Sequence, residues 1–232
     1  MAETLDPEQL REAVQSSLLA VSGLYRVRRS GDLQYDGVRP DGGSDGRWVA
    51  HGYFSRLLWM LLDGKRLRRR LWKRRWLSPD GESTRHSRPP EDVPSLGCVA
   101  LIVALKLWAG LDGGDGLCNS HDVLPELQGH VHERTVERWL QRVLPHALEI
   151  EQSTRRAVME RCEPRPVERL FPTGLSPPEG LLRRRWRDPS AVVTLWRALA
   201  LLFVGAIELS VPASLLLAEA RGRCGTLGRP LF

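Results

Sequence analysis

The hydrophobic and polar positions of the first hundred residues predict a β-hairpin. Two dense segments, residues 47–62 and 65–77, flank Asp63-Gly64. An Asp-Gly pair between two such segments is typical of the tight turn in a hairpin. A helix is the alternative for the second segment, because its apolar residues would also share one helical face. The specific turn favours strands.

From residue 96 onward the pattern becomes helical. Helices are predicted over residues 1–22, 96–109, 120–127, 132–144, 145–162, 189–209 and 212–222. Segments rich in glycine or proline are expected to be loops at residues 30–46, 78–95 and 163–178. We therefore expect a mainly α protein: a small N-terminal hairpin or ribbon-like module, a helix-turn-helix domain and a C-terminal helical bundle. The expected boundaries are 1–95, 96–162 and 163–232.

The apolar segment 191–218 is long enough to span a membrane. Arg197 and Glu208 interrupt it, however, and Pro212 breaks it. Each charge at the centre of a membrane helix costs roughly 2.5–3.5 kcal/mol on insertion. We expect a buried helix that packs on residues 96–109.

Composition is that of a globular protein, with 42 % hydrophobic and 27 % charged residues in a chain of 232. The four cysteines show no disulfide spacing, and the first twenty residues carry five charges, unlike a secretory signal. We expect a cytoplasmic, nucleoid-associated protein. Motifs of phosphate-binding loops, hydrolases and metalloproteases are missing from the chain, so neither enzymatic activity nor a cofactor is expected.

The positive charge is concentrated in the predicted hairpin. Net charge is +6 over the chain, whereas residues 46–76 alone carry +9. Such a concentration favours an anionic partner over the alternative, a solvated surface. A shorter cluster, Arg183–Arg187, adds phosphate contacts or caps its helix. The predicted phosphate contacts are Lys65, Arg66, Arg68, Arg69, Arg70, Lys73, Arg74 and Arg75.

Residues 120–143 have the spacing of a helix-turn-helix. In that motif one helix enters the major groove and its outward side chains meet base edges. The alternative is an ordinary helical hairpin, and Glu133 and Glu137 count against groove insertion because phosphates repel them. The predicted base contacts are Arg134, Thr135, Arg138 and Gln141, with His132 also outward.

Two segments resemble a known class of protein. Residues 133–142, ERTVERWLQR, resemble the recognition helix of transposase-type helix-turn-helix proteins. Residues 46–56 and 63–70 are similar to the hairpin of zinc-ribbon modules that precede such helices in DNA-binding proteins of bacterial mobile elements. The resemblance implies a protein that binds double-stranded DNA, accessory to or derived from a mobile element. It has no nuclease domain, and its further partner is a second copy or a transposase.

The chain departs from that family at the metal site. A zinc ribbon needs two Cys-x-x-Cys knuckles, and no cysteine lies near the hairpin. A second set, Cys118, His121, His130 and His132, matches no zinc spacing, so we expect no metal. The rival hypothesis is a membrane-associated or helical interaction protein. In it, residues 65–76 meet anionic lipid and residues 191–218 enter the bilayer.

Overall fold

The structure is a computed structural model. It describes residues 7–14, 23–40, 46–62, 65–89, 92, 100–112, 133–162, 177, 180–181 and 186–224. Several sequence predictions lie outside these residues. They are the Asp63-Gly64 turn, the helix at 120–127, Arg183 to Arg185, and the set Cys118, His121, His130 and His132.

A mixed sheet dominates the N-terminal part of the chain. Its strands are β1 (Arg26–Val27), β2 (Leu33–Tyr35), β3 (Val49–Leu62), β4 (Lys65–Leu77) and β5 (Thr84–His86). β3 and β4 pair antiparallel along their whole length, with Leu62 opposite Lys65. On its other edge, β4 pairs in parallel with β2 and antiparallel with β5, and β1 pairs with β2. A bulge shifts the register between Ala50 and Tyr53.

The prediction of strands at 47–62 and 65–77 is confirmed, but the expectation of a mainly α fold with only a small hairpin is wrong. The hairpin strands are 14 and 13 residues long and belong to a five-stranded sheet. Of the additional strands, β2 and β5 come from segments expected to be loops, and β1 lies between a predicted helix and a predicted loop. Strands of two or three residues are too short to show an alternating pattern. Pairing with β4 makes β2 and β5 strands, and pairing with β2 makes β1 one.

The helices agree with the predicted pattern. They are α1 (Pro7–Ala13), α2 (Ala100–Asp112), α3 (Glu133–Val143), α4 (Ala147–Cys162), α5 (Pro189–Glu208) and α6 (Ala213–Cys224). Two boundaries differ: α6 continues through Gly222 to Cys224 instead of ending at the glycine, and α2 continues through Gly110. A Cβ at Gly110 would lie 3.2 Å from Cγ1 of Val136, so glycine allows α3 to approach α2 closely.

Helix α5 forms the centre of the helical part and packs on α2, α4 and α6. Asp188 caps it by accepting a hydrogen bond from the backbone N–H of Ala191 (2.9 Å). The rings of Trp108 on α2 and Phe203 on α5 stack with centroids 4.6 Å apart. By length and composition α5 could cross a membrane, yet 67 % of its most apolar window is buried inside the protein. The predicted packing of this helix on α2 is confirmed.

The two faces of the sheet have different surroundings. Leu58, Met60 and Leu71 lie on one face, the inner face, and are fully buried in a core that they share with the helices. The opposite face, the outer face, carries mostly exposed and half-buried polar and aromatic side chains, although Leu61 and Trp76 on it are buried. On both faces, therefore, burial differs from one position to the next.

Candidate nucleic-acid interface

Side chains alternate between the two faces of the sheet along β4, and this divides the eight predicted phosphate contacts between the faces. Successive side chains of a strand point to opposite sides of the sheet. The outer face receives Arg66, Arg68, Arg70 and Arg74, and the inner face receives Lys65, Arg69, Lys73 and Arg75. The predicted basic segment is therefore two rows of charge rather than one surface.

Lys73 lies inside the protein. Its ammonium group donates to the carboxylate of Asp92, which also accepts from Nη1 of Arg56 at 2.9 Å. The Asp92 side chain is only 2 % exposed. Nη2 of Arg221 on α6 donates to the backbone oxygen of Asp92 (3.1 Å). This cluster joins the sheet to the C-terminal helix, so Lys73 is engaged in the interior.

Of the other inner-face residues, Lys65 is exposed and Arg69 and Arg75 are half-buried. The outer face carries the exposed pair Arg68 and Arg70 and is the candidate interface.

Guanidinium groups and aromatic rings alternate along the outer face. The guanidinium carbon of Arg66 lies 4.4 Å from the centre of the Trp59 ring, and that of Arg68 lies 5.8 Å from the same ring. Arg70 lies 5.8 Å from the ring of Trp72. Cation–π attraction holds such groups over the ring faces. The register explains the contacts at Trp59, because this residue pairs directly with Arg68.

Two carboxylates neutralise the end of the outer face that lies beside β2. Asp36 accepts hydrogen bonds from the Tyr53 hydroxyl (2.6 Å) and from Nη2 of Arg74 (2.8 Å). Burial opposes ionisation, but the hydrogen bonds from Tyr53 and Gln34 and the charge of Arg74 lower the pKa of Asp36 below its usual value. Burial and the bond to Asp36 raise the pKa of Tyr53.

Asp32 is the second of these carboxylates. It accepts a hydrogen bond from the indole N–H of Trp72 (3.2 Å), and this bond is the main cause of a lowered pKa of Asp32. The bond fixes the orientation of the Trp72 ring on the outer face.

Arg68 and Arg70 carry the exposed charge of this face. Both side chains are exposed, and among the described residues no carboxylate lies within ion-pair distance of either. Nη1 of Arg70 makes only a long hydrogen bond to Oγ of Ser55 (3.4 Å). The neighbouring Leu57, opposite Arg70, is 44 % exposed. Exposed positive charge of this kind is what an anionic ligand requires.

Helix α3 has the amphipathic character predicted for residues 132–144. Trp139, Leu140 and Val143 are buried. Of the four predicted base contacts, Arg134, Arg138 and Gln141 are exposed and Thr135 is half-buried. The exposed Glu137 lies among them. The structure thus places three of these side chains on the surface.

Sequence reasoning missed the aromatic and acidic members of the outer face. The contact of Trp59 with Arg68 could have been predicted, because a two-residue turn at Asp63-Gly64 implies that these residues pair. The places of Arg28 and Asp36 could not, because these residues reach the outer face only through the short strands β1 and β2. Among the described residues, no group of three or more His, Cys, Asp or Glu side chains is arranged to hold a metal ion.

Comparison of the chain with protein-family models, curated proteins and solved structures finds no match. The resemblance to transposase-type proteins therefore depends on the motif residues of α3 and of the hairpin alone.

Proposed function

We propose that the protein binds DNA and that the outer face of the sheet contacts the phosphates. The observation that carries this proposal is the exposed pair Arg68 and Arg70 on one face of β4, with no carboxylate of the described residues within ion-pair distance of either. Asp32 is near enough for the charge of Arg70 to lower its pKa, but it does not form an ion pair with Arg70. Residues two apart on a strand are roughly 7 Å apart. That distance is similar to the spacing of consecutive phosphates along one nucleic-acid strand.

Cation–π contacts support the proposal because they restrict the guanidinium groups. The guanidinium carbon of Arg68 lies 5.8 Å from the centre of the Trp59 ring, and that of Arg70 lies 5.8 Å from the centre of the Trp72 ring. The N–H donors lie at the edge of the guanidinium plane, where they can bind phosphate oxygens in pairs. A pre-oriented arginine loses less conformational freedom when it binds than a free side chain does.

Helix α3 is the second part of the proposal. Arg134, Arg138 and Gln141 are exposed, which is the placement needed for contact with base edges. Together with the motif of residues 133–142, this supports a protein accessory to or derived from a mobile element, without a catalytic domain of its own.

The proposal is tested by measuring how binding to a random-sequence duplex depends on salt. The double variant Arg68→Gln/Arg70→Gln is expected to bind more weakly, and the slope of log K against log salt should flatten by about 0.9 for each phosphate that the variant no longer binds. The matched control is Arg155→Gln/Arg156→Gln, which removes two charges from the exposed surface of α4. Equal slopes for the two variants, with both folded by circular dichroism, would show that the outer face does not bind DNA.

Anionic lipid is the rival ligand for the same charges. The burial of α5 among α2, α4 and α6 opposes its insertion into a bilayer. Vesicles containing phosphatidylserine provide the comparison. The proposed function would be replaced by membrane association under two conditions. The wild-type protein would bind these vesicles but not DNA, and Arg68→Gln/Arg70→Gln would abolish the binding to vesicles.

A further inference from the structure

We infer that the outer face takes single-stranded rather than duplex nucleic acid, with bases stacking on the layer formed by Arg28, Tyr53 and Trp72. This inference depends on the proposed function and names the form of nucleic acid that the same surface holds. Three features of the sheet support it, namely its width, the closure of its narrow end and the stacked layer itself.

The sheet is too wide at Trp72 to enter a DNA groove. The register places Ser55, Trp72, Gln34 and Arg26 side by side across four strands. With neighbouring strands about 4.8 Å apart, the outermost backbones are about 14 Å apart before side chains are added. The major groove is about 12 Å wide and admits a two-stranded ribbon at most. This part of the outer face therefore meets a duplex only at its backbone.

The narrower, two-stranded end of the hairpin is closed on the outer face. Leu61 is 0 % exposed there, although its side chain points to that side of the sheet. Two of the three guanidinium nitrogens of its cross-strand neighbour, Arg66, are buried. A ribbon whose outer side is covered near its turn does not present base-reading side chains to a groove.

The part of the outer face beside β2 offers a stacking layer. The guanidinium carbon of Arg28 lies 4.2 Å from the centre of the Trp72 ring and 5.2 Å from that of the Tyr53 ring, and that of Arg74 lies 4.2 Å from the Tyr53 centre. Nε of Arg28 donates to Oε1 of Gln34 (2.9 Å), an uncharged partner, and this bond helps to hold the plane over both rings. Unpaired bases stack on aromatic rings and on arginine planes, whereas bases inside a duplex do not expose their faces.

Arginines flank this layer on both sides. On β1 the Arg26 side chain is 81 % exposed, although its Nε lies 3.6 Å from the carboxylate of Asp36. On β4 Arg68 and Arg70 are exposed and supply most of the positive charge. A single strand that crosses the sheet would pass from one group to the other, with its phosphates near these arginines and a base on the layer between them. A stacking layer beside a positively charged track is the common arrangement of sheets that bind single strands.

The inference is tested with one mixed-sequence DNA strand, the same sequence as RNA, and the DNA duplex, each labelled with fluorescein. We expect at least one of the single strands to bind tenfold or more tightly than the duplex. Trp72→Leu should weaken single-strand binding by a factor of about 5 to 150, as base–aromatic stacking is worth about 1–3 kcal/mol. Trp72→Phe, which keeps a ring, should restore most of the affinity.

A second variant does not disturb the rings. Arg28→Lys keeps the charge and removes the plane, so single-strand affinity should fall about fivefold or more while duplex affinity and the salt slope stay unchanged. The inference would be overturned if the protein bound the duplex as tightly as the single strands, or if Arg28→Lys bound single strands as the wild type does. Either result would leave the proposed phosphate binding by Arg68 and Arg70 intact. Binding of neither form would overturn the proposed function as well.

Discussion

Lys73 and Asp92 form an ion pair inside the protein, with only 8 % and 2 % of their side chains exposed. Lys73 lies on β4, whereas Asp92 follows the proline-rich segment after β5. Arg56 on β3 donates to the same carboxylate, and Arg221 on α6 donates to the Asp92 backbone. One acidic residue thus stabilises two strands and the last helix together.

Removal of the Asp92 carboxylate is expected to destabilise the protein strongly. Asp92→Ala leaves Lys73 buried and Arg56 largely buried without their counter-charge, and breaking a buried pair in this way costs about 3–5 kcal/mol. Urea unfolding followed by circular dichroism measures the change. The control is Glu82→Ala, an exposed carboxylate nearby, which should change the free energy of unfolding by about 0.5 kcal/mol or less. Equal losses of stability in the two variants would contradict this role of Asp92.

Substitutions of two neighbouring residues on α3 are expected to have different effects, one on stability and the other on DNA binding. Trp139 is 6 % exposed, so Trp139→Ala should cost about 3–5 kcal/mol of stability. Arg138 is exposed, and Arg138→Ala should leave folding almost unchanged. If Arg138 contacts a guanine, Arg138→Ala should lower discrimination at one base position by roughly 1–3 kcal/mol. Selection from a random duplex library, followed by titration, measures this, and equal weakening for all duplexes would exclude base contact.

Two helical glycines should respond to alanine with opposite signs. A Cβ at Gly205 of α5 would lie 2.9 Å from Cγ2 of Val158 on α4, so Gly205→Ala should destabilise the protein by about 1–3 kcal/mol through overpacking. Gly222 of α6 faces open space, and Gly222→Ala should stabilise the helix by up to about 1 kcal/mol. Thermal unfolding distinguishes them. A stabilising Gly205→Ala would mean that α4 and α5 are not closely packed there.

The stability of the sheet should depend on pH through His86. Its ring stacks on Phe54, and burial together with the charges of Lys73, Arg75 and Arg88 lowers the pKa of His86 from 6.5. Between 6.5 and the lowered value the unfolded chain binds a proton that the folded chain does not. The contribution of His86 is therefore complete above pH 6.5 and is lost as the pH falls through the folded value.

The measurement compares free energies of unfolding at several pH values between 7 and 4. His86→Phe keeps the stacking and cannot be protonated, so the loss of stability on acidification should be smaller than in the wild type. If His86→Phe has the wild-type profile instead, His86 does not cause the pH dependence.

Local patterns in the sequence were sufficient to predict the elements that have a long hydrophobic periodicity or a specific capping residue. The hairpin strands, the amphipathic α3 and the capped α5 were all predictable, because their periodicity or end residues act within one element. The same patterns identified the basic segment and the outward residues Arg134, Arg138 and Gln141. For these residues the helical period alone determines which side faces the core.

Only the tertiary structure decided how many strands the sheet has and which of the basic residues are exposed or buried. β1, β2 and β5 are too short to have a pattern of their own. β2 and β5 exist because β4 offers backbone groups that must find partners, and β1 adds to the sheet through β2. The same pairing brings Arg28 and Asp36 to the outer face and Asp92 to Lys73. Sequence reasoning treated eight basic residues as one surface. The pleat of a single strand points four of them to each side of the sheet. Of the inward four only Lys73 is buried, and its burial requires the counter-charge of Asp92, 19 residues away in the chain.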